Sequence, residues 1–141
     1  MKERKLYVAY GSNLNKEQME FRCPGAKPIG KFILKDYKLE FRVVANIIKC
    51  EGAEVPIGLW EITDECEKAL DRYEGYPKLY RKEYVEIEVG KVKEKALVYV
   101  MNYRGIAPPS MSYYYTIKQG YNDFKIDLKA LRKALKESYG E

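Results

Sequence analysis

The sequence predicts an α+β fold, with a mixed or antiparallel, curved sheet and helices dispersed around it. Three observations predict it. Apolar runs with period-two alternation cluster together, as in residues 37–44 and 85–89. Helical stripes fall singly before, between and after those clusters. Regular strand–helix–strand alternation, the signature of a doubly wound parallel sheet, is missing. The 141 residues are 46% hydrophobic and 33% charged, which suffices for one domain over residues 1–141 with a buried core and a solvated surface.

Taken in order, residues 6–10 read as a first strand, central because little of it is polar. Asn13 or Asn15 caps the helix that follows. Met19 and Cys23 lie one turn apart in it, and Pro24-Gly25 stops it. Residues 29–34 and 37–44 read as two strands around Lys35-Asp36. In the second, Leu39, Phe41 and Val43 share one face and Lys38, Glu40 and Arg42 the other. Residues 50–53 read as a loop and 57–62 as a further strand.

Asp64 reads as the N-cap of the next helix, with Glu67 completing a capping-box-like pair. Cys66, Ala69, Leu70 and Tyr73 form its apolar stripe, and Gly75 and Pro77 end it. Val85, Ile87 and Val89 alternate with Glu86 and Glu88 in a half-buried strand, and 96–101 read as a fuller, interior one. Pro108-Pro109-Ser110 opens a segment in which 113–119 are helical. Asp127 caps a last helix carrying Leu128, Leu131 and Leu135 on one side.

Composition narrows the chemistry. There is no histidine, which removes Ser-His-Asp and Cys-His catalysis and imidazole metal sites. Proton transfer near neutral pH must come from a tuned carboxyl, Tyr, Lys or Cys. The three cysteines are widely spaced, with no Cys-x-x-Cys, and read as free thiols. No apolar stretch is long enough to span a bilayer, and residues 1–5 do not begin a signal peptide, so a cytoplasmic protein without a membrane partner is expected. The net charge of +5 is spread over interleaved Lys, Arg, Asp and Glu. Fourteen tyrosines offer stacking surfaces, yet no RNP-like, KH-like or zinc-finger pattern accompanies them, so nucleic acid is not an expected partner.

Three segments carry the functional reading. Tyr10-Gly11-Ser12-Asn13 sits where a strand turns into a helix, leaving backbone N–H groups unpaired and close together, a ready site for a carboxylate or oxyanion. Glu74 stands at the C-terminal end of a helix, where the dipole disfavours it, among Tyr73, Tyr76 and Tyr80. Its pKa should rise, which suits a proton shuttle. Taken alone, each segment also fits an ordinary role: a common polar turn, and a solvated surface carboxylate. The third segment is Pro108-Pro109-Ser110-Met111-Ser112-Tyr113, a stiff helix entrance that offers Tyr113 as a phenol for a pocket.

These segments, in this order, resemble the gamma-glutamylcyclotransferase family. The likeness covers Leu6-Tyr7-Val8-Ala9-Tyr10-Gly11-Ser12-Asn13-Leu14, Leu70-Asp71-Arg72-Tyr73-Glu74-Gly75, Tyr99-Val100-Met101 and Pro108-Pro109-Ser110, running from about Leu6 to about Gly120. Glutathione-specific cyclotransferases usually carry Gly-Ser-Leu at the turn and gamma-glutamylamine cyclotransferases Gly-Thr-Leu. Gly11-Ser12-Asn13 with Tyr73-Glu74-Gly75 is closer to the gamma-glutamylcyclotransferases proper, although this chain is shorter than many of them after Gly120.

The resemblance implies a small mixed or antiparallel β-barrel flanked by helices, often as a homodimer. It implies release of 5-oxoproline from a small-molecule γ-glutamyl substrate, with no metal and no organic cofactor. By position it makes Glu74 the catalytic acid/base. It makes Tyr7, Val8, Ala9, Tyr10, Gly11, Ser12 and Asn13 the substrate loop, and Tyr113 a substrate contact. The implied reaction is internal: the α-amino nitrogen attacks the substrate's own γ-carbonyl, so neither water nor a metal-bound hydroxide is needed, and the missing histidines cease to be an obstacle. Tyr80 and Tyr84 are both candidates for the cavity wall. Two alternatives stand beside this reading: a gamma-glutamylamine cyclotransferase, and a non-catalytic module that binds a small carboxylate or a protein partner on the same fold.

Overall fold

β1 (Lys5–Ala9) runs through the middle of a five-stranded sheet in the computed structural model, which describes residues 4–140; the strand order is β2 (Lys27–Arg42), β3 (Val44–Ile62), β1, β5 (Val92–Met101), β4 (Tyr80–Val89). The reading of residues 1–5 falls largely outside the described residues. β1 pairs antiparallel with β3, opposing Lys5 to Ile62 and Ala9 to Gly58, and parallel with β5 through Tyr7 and Leu97. Its Leu6, Val8 and Ala9 are almost wholly buried, as a central strand requires. β4 and β5 form a hairpin across Gly90 and Lys91, with Gly90 at φ 65°. Among the described residues no helix is long and apolar enough to cross a membrane.

The sheet is curved but open, which corrects the expected barrel. β2 and β4 approach each other without pairing. A cleft lined by Tyr37, Arg81 and Glu83 separates them, and charged side chains kept in solvent oppose ladder formation there. The two strands expected at 29–34 and 37–44 are one. Lys35-Asp36 is a bulge, not a turn: Asp36 takes φ 67° and its carboxylate accepts the Gly52 N–H at 3.0 Å. The same pairing draws residues 50–53 into β3, where a loop was expected, and fuses them with the strand at 57–62. Val43 leaves the Leu39/Phe41 face because it forms the tip between β2 and β3, exposed and at φ 69°.

Among the described residues, four α-helices cover the sheet. α1 (Lys16–Arg22) is capped by Asn15, whose side chain accepts the Gln18 N–H at 3.0 Å; Asn13 is not the cap. α2 (Asp64–Glu74) is capped by Thr63, one residue earlier than expected, through an N–H bond from Cys66 at 3.1 Å. Glu67 does not turn back to the cap, because Lys5 and Lys82 hold it at 2.7 and 2.6 Å. α3 (Met111–Asp123) begins on the Ser110 side chain. α4 (Lys129–Ser138) follows Asp127, which accepts the Lys129 N–H at 2.8 Å.

α3 lies against the turn after β1 so closely that position 120 must be glycine. A Cβ there would stand 2.6 Å from the Asn15 nitrogen and from Leu14. The main chain of α3 thereby sets where that turn sits.

Candidate active site

The turn that follows β1 is a single 3-10 turn, Ser12–Leu14, closed by N–H bonds from Leu14 to the Gly11 carbonyl and from Asn15 to the Ser12 carbonyl, each 3.0 Å. A helix start leaves its first N–H groups free. Among the described residues the amides of Gly11, Ser12 and Asn13 have no intramolecular partner. The turn is buried and pinned from behind: Trp60 donates its indole N–H to the Asn13 carbonyl at 3.0 Å, and its ring meets Phe124 edge-on.

α2 delivers the acid. Cys66 and Leu70 are its buried residues, and Glu74 continues that row one turn on, so the carboxyl faces inward. Gly75, in the left-handed region at φ 65°, ends the helix there, and the Tyr76 N–H returns to the Asp71 carbonyl at 2.9 Å. Glu74 keeps some contact with solvent as a residue, yet its carboxyl is nearly enclosed. Burial pushes its pKa up to about 7, against a smaller opposing pull from the Arg22 guanidinium.

Glu74 and the turn line one cavity of about 120 Å³. Gly11, Ser12 and Asn13 form one wall, Val44, Ala45 and Leu79 another. Tyr7, Tyr10, Tyr73, Tyr80, Tyr99 and Tyr113 supply most of the rest. Burial first, with the Glu74 charge adding to it, raises Tyr7, Tyr10, Tyr80 and Tyr113 well above the ordinary phenol range, so these hydroxyls stay protonated. Three phenols spend their proton inside the protein. Tyr10 donates to the Tyr99 carbonyl at 2.6 Å, Tyr80 to the Ala45 carbonyl at 3.0 Å, and Tyr99 to the Asp71 carboxylate at 2.6 Å. Tyr7 and Tyr113 instead accept, from the Asn13 amide at 2.9 Å and from the Ala45 N–H at 3.0 Å.

Of the residues singled out from the sequence, Glu74, Tyr7, Tyr10, Gly11, Ser12, Asn13 and Tyr113 thus meet at one cavity. Val8 and Ala9 do not reach it. Val8 points to the face opposite Tyr7, and the Ala9 methyl, on the Tyr7 side, is packed in the core. Tyr80 lines the wall, whereas Tyr84 is exposed with Lys95 over its ring. Sequence reasoning missed Arg22 and Ala45. Nothing in periodicity marks Arg22, the last residue of α1, as a neighbour of Glu74. Tyr99 was legible as a residue of an interior strand and of a segment that carries the family likeness, but not as part of a cavity wall.

Comparison with known proteins agrees with this fold. The family model "Gamma-glutamyl cyclotransferase, AIG2-like" matches residues 7–120. The human gamma-glutamylcyclotransferase is 29% identical over 143 aligned positions, covering 91% of this chain and 76% of its own length. The bovine protein of that name is 30% identical over 146, with the same coverage. A solved gamma-glutamyl cyclotransferase structure superposes with a TM-score of 0.83 at 27% identity, covering 94% of this chain and 86% of that one. YkqA from Bacillus subtilis shares the fold, with a TM-score of 0.78 at 23% identity, over 98% of this chain and 55% of its own. With residues 7–120 matched by that model, the chain belongs to the gamma-glutamyl cyclotransferase, AIG2-like family.

Proposed function

We propose that this protein converts a γ-glutamyl amino acid or amine to 5-oxoproline and the free amine, with Glu74 moving the proton. The observation that carries this is one carboxyl, raised to about 7, on the same small cavity as a row of unpaired backbone amides. A substrate α-amino group is mostly ammonium near neutral pH and has no lone pair with which to attack. The Glu74 carboxylate takes a proton from it. The freed nitrogen bonds to the γ-carbonyl carbon, the γ-amide C–N bond breaks as the proton on Glu74 passes to the departing nitrogen, and the regenerated carboxylate relays the ring nitrogen's second proton to the released amine, which leaves as ammonium. Such shuttling contributes about 10²–10⁴-fold. The cavity holds the glutamyl chain bent, so that nitrogen and carbon approach within about 3–3.5 Å. The amides of Gly11, Ser12 and Asn13 are donors for an oxygen of the glutamyl group. The three free cysteines agree with a cytoplasmic site of action.

The test is turnover. The protein is incubated with a panel of γ-glutamyl amino acids, glutathione and γ-glutamyl-lysine, and 5-oxoproline is measured by mass spectrometry, with Glu74→Gln as control. Release of 5-oxoproline that vanishes in the variant supports the reading, and the best substrate identifies the leaving group. Turnover that survives in E74Q removes Glu74 from its role. No turnover with any substrate, in folded protein, favours a module that binds a small carboxylate.

A further inference from the structure

We propose that Arg22 is a positioning residue: through the Asn13 amide it dictates which way the Tyr7 hydroxyl proton points, and so makes Tyr7 a hydrogen-bond donor to an oxygen of the bound glutamyl group. The effect on turnover rests on the cyclotransferase reading; the geometry does not.

A guanidinium carries only donors. Arg22 Nη1 lies 2.6 Å from the Asn13 side chain, so the atom facing it must be the amide oxygen, Oδ1. That choice leaves no freedom at the other end. Asn13 Nδ2 then faces the Tyr7 hydroxyl at 2.9 Å, and an amide nitrogen can only donate. Tyr7 Oη must therefore accept, and its own proton lies on the other side. Tyr7 and Asn13 are 4% and 3% exposed, so no bulk water competes for these bonds. Among the described residues no protein acceptor takes the Tyr7 proton, and Tyr7 lines the cavity beside Glu74. A buried donor without a partner costs free energy until a ligand supplies one. Arg22 is itself held in place: Nη2 bonds Gln18 at 2.8 Å, and the guanidinium stacks 3.6 Å from the Tyr73 ring centroid.

Asn13→Asp reverses the chain at nearly constant shape. A carboxylate still pairs with Arg22, but it can only accept, so the Tyr7 proton turns away from the cavity. The added charge also acts on Glu74, so rates are compared as the plateau of kcat/KM above the acid limb. Expected are losses of about 10- to 100-fold for N13D and for Tyr7→Phe, with the double variant no worse than either single one. Arg22→Met, which frees the amide to flip, should lose activity that Arg22→Lys, again donor-only, restores, and R22M should cost nothing further on the Y7F background. Multiplying losses in the double variants would overturn the proposal. An arm independent of turnover is the ¹⁵N–¹H spectrum of the free protein. The Asn13 side-chain amide should exchange slowly, and lose that protection in Y7F and R22M. If the wild-type protein turns over no γ-glutamyl compound, the proposed function fails, and the spectrum alone decides the relay: protection lost in R22M supports it, and protection unchanged in R22M overturns it.

Discussion

Replacing Glu74 with Gln should change how stability depends on pH, and the size follows from the site. The unfolded carboxyl titrates near 4.5 and the folded one near 7, because burial disfavours the charge. At about 1.36 kcal/mol for each pH unit between them, ionising Glu74 in the folded chain costs up to about 3 kcal/mol. Water entering the cavity screens the charge, so that figure is a ceiling. The sign is fixed by the direction of the shift. A raised carboxyl holds more protons folded than unfolded, so its contribution is fully present below pH 4.5 and is lost as pH rises through 7. Gln does not titrate. The stability of E74Q relative to wild type should therefore stay constant below about pH 4.5, rise by roughly 2–3 kcal/mol towards pH 8, and then level off. Urea unfolding followed by circular dichroism from pH 4 to 9 measures it, and the other titrating groups cancel in the difference. A difference that stays flat, or falls with rising pH, would refute the enclosed carboxyl and with it the acid/base argument.

The same titration should appear in catalysis: kcat/KM rises with an apparent pKa near 7 as Glu74 loses its proton, and the acid limb disappears from whatever activity E74Q retains. Tyr113→Phe removes the acceptor of the Ala45 N–H, leaving it unpaired beside the cavity, and should cost about 1–3 kcal/mol in urea unfolding. Gly120→Ala forces a methyl against Leu14 and Asn15, so activity should fall at least 10-fold on the scale of a displaced binding turn, read as kcat/KM under conditions where circular dichroism shows the variant folded.

Much of this was legible because local rules and tertiary structure agree. β1, the 85–89 half of β4, the 96–101 half of β5 and the Cys66–Leu70 row of α2 each follow the period of their apolar residues, while Tyr73, expected in that stripe, is exposed. The cavity's two poles, the 10–13 turn and Glu74, announced themselves through a polar strand end and a carboxylate at the unfavoured end of a helix. Glu74 also falls four residues after Leu70 and eight after Cys66, so its inward face could have been read from that row. The misreadings arose where distant pairing overrides local chemistry. Asp36 and Gly52 look like turn residues, but each completes the other's bond across a bulge. Asp64 and Glu67 look like a capping box, but Lys5 and Lys82 outbid the helix end for their carboxylates. Arg22 was invisible for a different reason: its importance lies in a contact between α1 and the turn that no periodicity encodes. Openness of the sheet was likewise unreadable, because it depends on two edge strands brought near each other only by curvature.

The indole that pins the turn has a practical consequence. Trp60 is the protein's sole tryptophan, and its N–H is tied to the carbonyl of a residue lining the cavity. Any molecule that tugs on that main chain is felt at a single indole shielded from solvent, whose emission can be excited beyond the tyrosine absorption. Intrinsic emission thus offers a label-free gauge of occupancy, which can follow binding even of compounds the protein never transforms.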